Sequence, residues 1–215
     1  MSDQGIEGRL DDQLDDQVDD QLDHQVAAVI LAAGASTRMG RNKLLLPVDG
    51  EAMVHRAARR ALAAGLAPVV VVLGHESERV RAALADLDVT FATSPDSTGP
   101  TSVSLHAGLA ALGAKVAATV VMLSDMVHVT EEMLRTIVSA SASGDAPLEV
   151  SRYGQVLAPP LLFRRVLWPE LLAWHGEGCG KAVVRAHEAE AGLHDWPTSA
   201  LRDIDTPGDY DALTC

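Results

Sequence analysis

Apolar and polar residues alternate along this chain in blocks rather than singly. Four runs are apolar almost without interruption: VAAVIL (26–31), PVVVVLG (68–74), DVTFAT (88–93) and ATVVMLSD (118–125). Runs of this kind predict strands covered on both faces, as in the middle of a parallel sheet. Between them, EAMVHRAARRALAAG (51–65), HESERVRAALADL (75–87) and TSVSLHAGLAALG (101–113) space apolar residues at helical intervals, with Gly65 as a stop. Strand and helix in alternation predict a single-domain, doubly wound, Rossmann-like α/β fold, a mostly parallel sheet with helices on both faces. A further helix is expected to begin near Thr130. Beyond about residue 145 the pattern loosens, and six of the seven aromatic residues fall there. That part is expected to cover the carboxyl edge of the sheet, where such folds bind ligands.

The pattern before Val26 is different. From Leu10 the chain repeats LDDQ, LDDQ, VDDQ, LDHQ. On a helix, Leu10, Leu14, Val18 and Leu22 would form one drifting apolar stripe suited to docking. Asp is a poor interior helix former, however, and like charges four residues apart repel. Residues 1–25 therefore read as a solvated, disordered acidic tail without a catalytic role, and residues 26–215 as the folded domain.

Composition sharpens this division. The 215 residues carry 17 bases and 30 acids, a formal charge of −13, and residues 1–25 hold nine of those acids against one base. A chain this acidic has no electrostatic footprint for nucleic acid or for an anionic membrane. Its two cysteines, Cys179 and Cys215, make neither a disulfide framework nor a zinc spacing. With no apolar run near the length of a membrane span and no basic leader, a cytoplasmic protein is expected. Oligomeric state leaves no mark in the sequence.

The segment richest in chemistry is LAAGASTRMGRNKLLLPVDG (31–50), which leaves the first predicted strand. Gly34, Ala35 and Ser36 are small enough to let backbone N–H groups approach a ligand, and Arg38 and Lys43 add two cations. Neither the GxxxxGK[ST] phosphate loop nor GxGxxG is present. From spacing alone the segment is either a polyphosphate cradle or an ordinary surface loop with solvated cations. Asp125, ending an apolar run, is likewise either a metal ligand or an N-cap for the next helix. Asp203 and Asp205 could ligate metal or shape the turn before Pro207. His75-Glu76 opens an HExxH pattern that Arg79 breaks, and Trp168 and Trp174 read as core or interface.

The stretch LAAGxSxRMGxxKLLLP resembles the signature of the MobA-like nucleotidyltransferases, and among them that of the molybdenum cofactor cytidylyltransferases. The resemblance runs from about Val26 to Tyr210. SPDSTGPTS (94–102), VVMLSDM (120–126) and DIDTPGDY (203–210) follow in the family's order. It implies transfer of a nucleoside monophosphate from a nucleoside triphosphate to a phosphorylated acceptor, with release of pyrophosphate. The backbone from Leu31 through Ala32, Ala33, Gly34 and Ala35 to Ser36, with Ser94, Pro95, Gly99 and Ser102, would enclose the nucleotide. Arg38 would hold its outer phosphates, Lys43 its α-phosphoryl group, and Asp125, Asp203 and Asp205 would hold Mg2+. The methyl of Ala33 would narrow the base pocket in favour of CTP over GTP. The acceptor implied is a phosphorylated, molybdopterin-type pterin cofactor, for later use by an apo molybdenum hydroxylase. A sugar phosphate or phospholactate acceptor, and a non-catalytic carrier of the cofactor, are the rival readings.

Three family features are altered, all on the acceptor side. The usual Asp-x-Pro continues here as Asp125-Met126-Val127-His128, with His128 either a ligand contact or a solvent-facing loop residue. Gly-His-Pro is replaced by Ala158-Pro159-Pro160, and Gly-Asp-x-Gly by Gly176-Glu177-Gly178-Cys179-Gly180. These departures point to a changed second substrate or to weakened activity.

Overall fold

The computed structural model describes residues 25–178 and 180–214; the acidic repeat, Cys179 and Cys215 lie outside the described residues. The four apolar runs become β1 (Gln25–Ala32), β4 (Val69–Leu73), β5 (Thr90–Thr93) and β6 (Val116–Leu123), all mutually parallel where they pair. Their side chains alternate between two cores. Ala28, Ile30, Val71 and Val120 face one side, while Val29, Val70, Val72 and Val121 face the other. That double burial is why the runs are continuously apolar.

Helices cover both faces as expected. On the first face lie α1 (Met53–Ala63), α2 (Ser77–Ala82) and α4 (Glu131–Ser143), which contribute Val54, Val80 and Leu134 to the core. On the second lies α3 (Thr101–Ala110), through Leu105 and Leu109. Boundaries differ from expectation in two places. Residues 51–52 form β3 (Glu51–Ala52), which pairs with β2 (Pro47–Val48) as a small hairpin before α1. The helix expected over 75–87 starts only after Glu76, which sits in the left-handed region at φ 52°, and ends at Ala82. Gly65, at φ 83°, lies just past the end of α1 as a stop residue should.

Glu51 ties this hairpin to α1. Its carboxylate accepts from Arg59 Nε at 2.8 Å and faces His55 Nδ1 at 2.6 Å. The Arg59 bond first, then His55, hold Glu51 down at about 2. A carboxylate depressed in the folded state adds stability that is present above about pH 4.5 and lost as pH falls toward 2. Glu51→Gln is therefore expected to cost about 1 kcal/mol at pH 7 after solvent screening, or about 2–4 °C in Tm. The difference from wild type should close as pH approaches 2. Thermal melts across pH 2–7 check this, and a gap that is constant with pH would contradict it.

The second half extends the sheet instead of merely covering its edge. After α4 come β7 (Leu148–Tyr153) and β8 (Val156–Arg164), an antiparallel pair, then α5 (Trp168–Ala173), α6 (Lys181–Ala186), β9 (Gly192–Trp196) and α7 (Pro207–Thr214). The seven-stranded order is β5-β4-β1-β6-β8-β7-β9, with β8 antiparallel to β6 and β9 parallel to β7. Ala158-Pro159-Pro160 lies inside β8, where pairing jumps from Val150↔Leu161 to Ser151↔Ala158. Two prolines have no N–H to give the ladder, so an irregularity is where they fit. The freed carbonyls are met by side chains: Tyr153 Oη donates to Pro159 O at 2.9 Å and Ser151 Oγ to Pro160 O at 2.8 Å. Trp168 is buried and Trp174 is at the surface, 37% exposed.

Candidate active site

From β1 the chain moves outward to β4 and β5, then returns to place β6 on the other side of β1. The connections therefore diverge at the carboxyl ends of β1 and β6, the point at which open α/β sheets leave a crevice. Ser124 closes the floor of that crevice, its backbone N and Oγ both donating to Leu31 O at 3.3 and 2.8 Å. Above it lies a cavity of about 280 Å³.

The loop after β1 is held open by its own bonds. Ser36 adopts the left-handed conformation at φ 51°, and its Oγ accepts from Lys43 N at 3.2 Å. Two short 3-10 turns follow, Thr37–Met39 and Lys43–Leu45, the second capped by buried Asn42, whose Oδ1 accepts from Leu44 N at 3.1 Å. Gly74, just after β4, lets the loop pack closely. A Cβ there would sit 2.4 Å from Ala33 O and 2.8 Å from Ala33 Cα, backbone atoms that have nowhere to move.

Residues far apart in sequence converge here. Lys43 Nζ donates to Asp125 Oδ2 at 2.6 Å and to Asp205 Oδ1 at 2.7 Å, and Arg38 donates to Asp205 Oδ2 at 2.9 Å. The Lys43 and Asp125 side chains are only 13% and 17% exposed, whereas Arg38 is 73% exposed. Burial pulls the Lys43 ammonium down, but Asp125 and Asp205 outweigh it and the net shift is upward. Lys43, by hydrogen bond and then charge, keeps Asp205 below the usual carboxylate range. Asp203 exposes part of its surface. Burial of its carboxyl and then the charges of Asp125 and Asp205 nonetheless push it up to about 6.

Both capping alternatives for these acids are taken by other residues. Thr130 caps α4, its Oγ accepting from Met133 N at 3.2 Å, so Asp125 is free of that task. Before α7, Thr206 and Asp209 cap each other, Asp209 Oδ2 accepting from Thr206 N at 2.7 Å and Thr206 Oγ from Asp209 N at 3.2 Å. The Asp205 carboxylate is thus left to face Lys43 and Arg38.

Among the described residues no three His, Cys, Asp or Glu side chains converge on one point as a metal site. Asp203 joins the cluster through charge, not through a shared centre. The Asp125–Asp205 pair still fits a divalent ion. Lys43 Nζ shows that the two carboxylates already address a single positive charge, and one or two carboxylates with substrate phosphates are the habitual ligands of Mg2+.

Of the residues singled out in the sequence, Leu31, Ala33, Gly34, Ser36, Arg38, Lys43, Gly99, Asp125 and Asp205 line the cavity. Ala32, Ala35, Ser94, Pro95, Ser102 and Asp203 do not. Ala32 is in the core, Ser94 Oγ donates to Asp96 O at 3.0 Å, and Ser102 bonds to the segment at Gly176. Thr37, Ser97, Thr101, Ser104, Leu123 and Ser124 line it as well. Those hydroxyls went unnoticed because Ser and Thr in loops carry no pattern of their own. His128 is half-buried rather than solvent-facing; burial, then Arg202, Arg56 and Arg60, lower it. It lines a separate cavity with Trp196 and Arg202.

Solved structures share this architecture, a nucleotidyl transferase from Methanothermobacter thermautotroptrophicus among them, with a TM-score of 0.75 at 23% identity over 88% of this chain and 98% of that one. Rv0371c from Mycobacterium tuberculosis H37Rv superposes with a TM-score of 0.77 at 27% identity, covering 88% of this chain and 97% of that one. Its manganese complex gives 0.73 over the same 88% and 97%, also at 27% identity. The chain belongs to the MobA-like NTP transferase domain family, whose model matches residues 28–191. A probable molybdenum cofactor guanylyltransferase from Pelotomaculum thermopropionicum is 34% identical over 165 residues, 75% of this chain and 70% of that protein. The bifunctional protein GlmU of an Anaeromyxobacter strain (Fw109-5) is 34% identical over 147 residues, 63% of this chain. The chain spans only 30% of that relative's length.

Proposed function

We propose that this protein transfers a nucleoside monophosphate from a nucleoside triphosphate, CTP in the first instance, to the phosphate of a molybdopterin-type cofactor. The observation that carries the reading is the cluster of Lys43, Arg38, Asp125 and Asp205 beside a small-residue loop at the sheet's switch point. An acceptor phosphate oxygen attacks the α-phosphorus, a new P–O bond forms, the bridging P–O bond to the β-phosphate breaks, and its electron pair leaves with pyrophosphate. Such chemistry asks the protein for in-line placement and charge stabilisation. The planar fork of Arg38, well exposed, suits the outer phosphates. Lys43, nearly buried, suits the α-phosphoryl group. Asp125 and Asp205 would hold Mg2+, which supplies charge neutralisation between triphosphate and acceptor. The manganese complex of Rv0371c supports a divalent ion in this fold.

Ala33 supports CTP: it lines the cavity, and its backbone is pinned by Gly74 on one side and by His75 N, which donates to Ala33 O at 3.3 Å. A methyl on a loop that cannot retreat narrows the space for a purine. The guanylyltransferase relative favours a second reading, the same reaction with GTP. Pyrophosphate release from CTP, GTP, ATP and UTP in the presence of molybdopterin decides between them, and a clear GTP preference sinks the first. With residues 26–215 taken as the transferase domain, to which β1 adds Gln25, deleting residues 2–24 is expected to leave kcat within about twofold. A large loss would give the acidic repeat a role in transfer.

A further inference from the structure

The chain leaves β6 through a short loop that carries Asp125 into the site. Past Ser124, which is pinned to Leu31 O, the backbone folds tightly: Val127 N donates to Asp125 O at 3.0 Å and Val129 N to Met126 O at 3.2 Å. The side chains of Met126, Val127 and Val129 are buried. These residues belong to no strand or helix, so their carbonyls need donors from elsewhere.

Arg60, on α1, meets two of them. Its Nη1 donates to Val127 O at 2.8 Å and to Val129 O at 2.5 Å. The neighbouring arginines of α1 are paired with carboxylates, Arg56 with Asp49 and Arg59 with Glu51. Arg60 is half-buried and, among the described residues, has no such ion pair. Burial, and then the charges of Arg56 and Arg59, pull its pKa down. The two carbonyls offset the cost of placing a cation there. The helix that supplies it is seated in the core by Val54, Ala58 and Ala61. Only about 10 Å³ remains free where Arg56 and Arg60 meet Met126, Val127 and Val129, so the loop has no room to settle toward the helix.

The position of this loop bears on the whole site. Val127 packs in one small cluster with Met39, Leu46, Met53 and Ile204. Met39 follows Arg38, Leu46 closes the turn that begins at Lys43, and Ile204 lies between Asp203 and Asp205. The three segments that bring charge to the cavity thus share one packing point, and Arg60 fixes the backbone there. Two residues past Asp125, where the family resembled carries a proline that sets φ by its ring, this chain carries Val127. Valine sets no such limit; the bonds from Arg60 restrain the loop from outside.

We propose that Arg60 is a positioning residue of the active site: by holding the carbonyls of Val127 and Val129, it sets the Asp125 carboxylate where it can share one divalent ion with Asp205. It acts through the loop and touches neither nucleotide nor metal. The assignment rests on the metal-dependent transfer proposed above and adds the part that holds Asp125 in register.

Mn2+ is the probe, titrated into the full chain with CTP present and no acceptor, and free Mn2+ is read by electron paramagnetic resonance. Arg60→Met is expected to weaken Mn2+ binding by about tenfold, as when a residue that orients a metal ligand is lost. Arg60→Lys, which keeps the charge on a shorter stem without the planar fork, should weaken it by about threefold. Arg135→Met separates positioning from stability. Arg135 Nη2 donates to Ala63 O at 2.7 Å and so ties α4 to the end of α1, with no bond to the Asp125 loop. That variant should lower Tm and leave Mn2+ affinity within about twofold of wild type. CTP affinity measured without metal should also stay within about twofold in all three variants. Unchanged Mn2+ affinity in Arg60→Met, or an equal loss in Arg135→Met, would overturn the assignment. If Arg60→Met does not fold, wild-type affinity in Arg60→Lys does so instead. A wild type that binds no Mn2+ overturns it together with the metal reading. If Arg60→Met weakens Mn2+ binding, yet wild type releases no pyrophosphate from any nucleotide, the positioning role stands and the transfer reading falls.

Discussion

Replacing Lys43 with Met is expected to lower kcat for nucleotidyl transfer by about 10²–10³, with a much smaller change in the nucleotide KM. The ammonium is the one cation of the cluster that is largely withdrawn from solvent, and it contacts both Asp125 and Asp205. A charge held there acts at short range through little water, which is where electrostatic stabilisation is strongest. Arg38, by contrast, is solvated and donates to the outer oxygen of Asp205 alone, so its loss should appear chiefly as weaker nucleotide binding. Lys43→Arg should recover little, since a guanidinium is planar and broad where the two carboxylates converge on one nitrogen. Lys43→Met also leaves the Asp125 and Asp205 carboxylates facing each other, so its melting temperature belongs beside its kinetics. Steady-state pyrophosphate release with CTP and molybdopterin is the measurement. A Lys43→Met enzyme with kcat within threefold of wild type would remove Lys43 from the reaction.

Truncating Phe163 to Ala is expected to cost about 3–5 kcal/mol. That is a large part of the roughly 5–15 kcal/mol that holds an ordinary domain together. Phe163 is fully buried in β8, paired with Thr119 of β6 and Leu148 of β7, and so fills the seam joining the parallel and antiparallel halves. Its ring also supports the turn into α6: a Cβ on Gly180, itself at φ 85°, would lie 3.2 Å from Phe163 Cζ. Few neighbours can collapse into the space without disturbing a strand pair. Urea denaturation should show the loss, with Tm lower by about 6–20 °C. A loss below 1 kcal/mol would mean the seam relaxes far more readily than its packing implies.

The parallel half was legible because burial on both faces leaves little choice of side chain. β1, β4 and β6 read as apolar runs for that reason alone, and the residues just past them, Ser36 to Lys43 and Asp125, were found by following those runs to their ends. The antiparallel half hid itself. β7 carries Glu149, Ser151 and Arg152, and β8 carries Pro159-Pro160, which argues against a strand until Tyr153 and Ser151 are seen to satisfy the carbonyls.

The ion pairs at the centre of the site join residues 82, 162 and 167 positions apart. Closing loops of that length costs more chain entropy than pairing neighbouring strands, so these contacts are expected to form after the local ones. A nascent or refolding chain can therefore settle β1 against β4 long before the Asp205 segment returns to Lys43. The order of events has a protective side. A partly folded chain lacks the arrangement on which transfer is proposed to depend, so turnover becomes a report that nearly the whole domain has reached its native state.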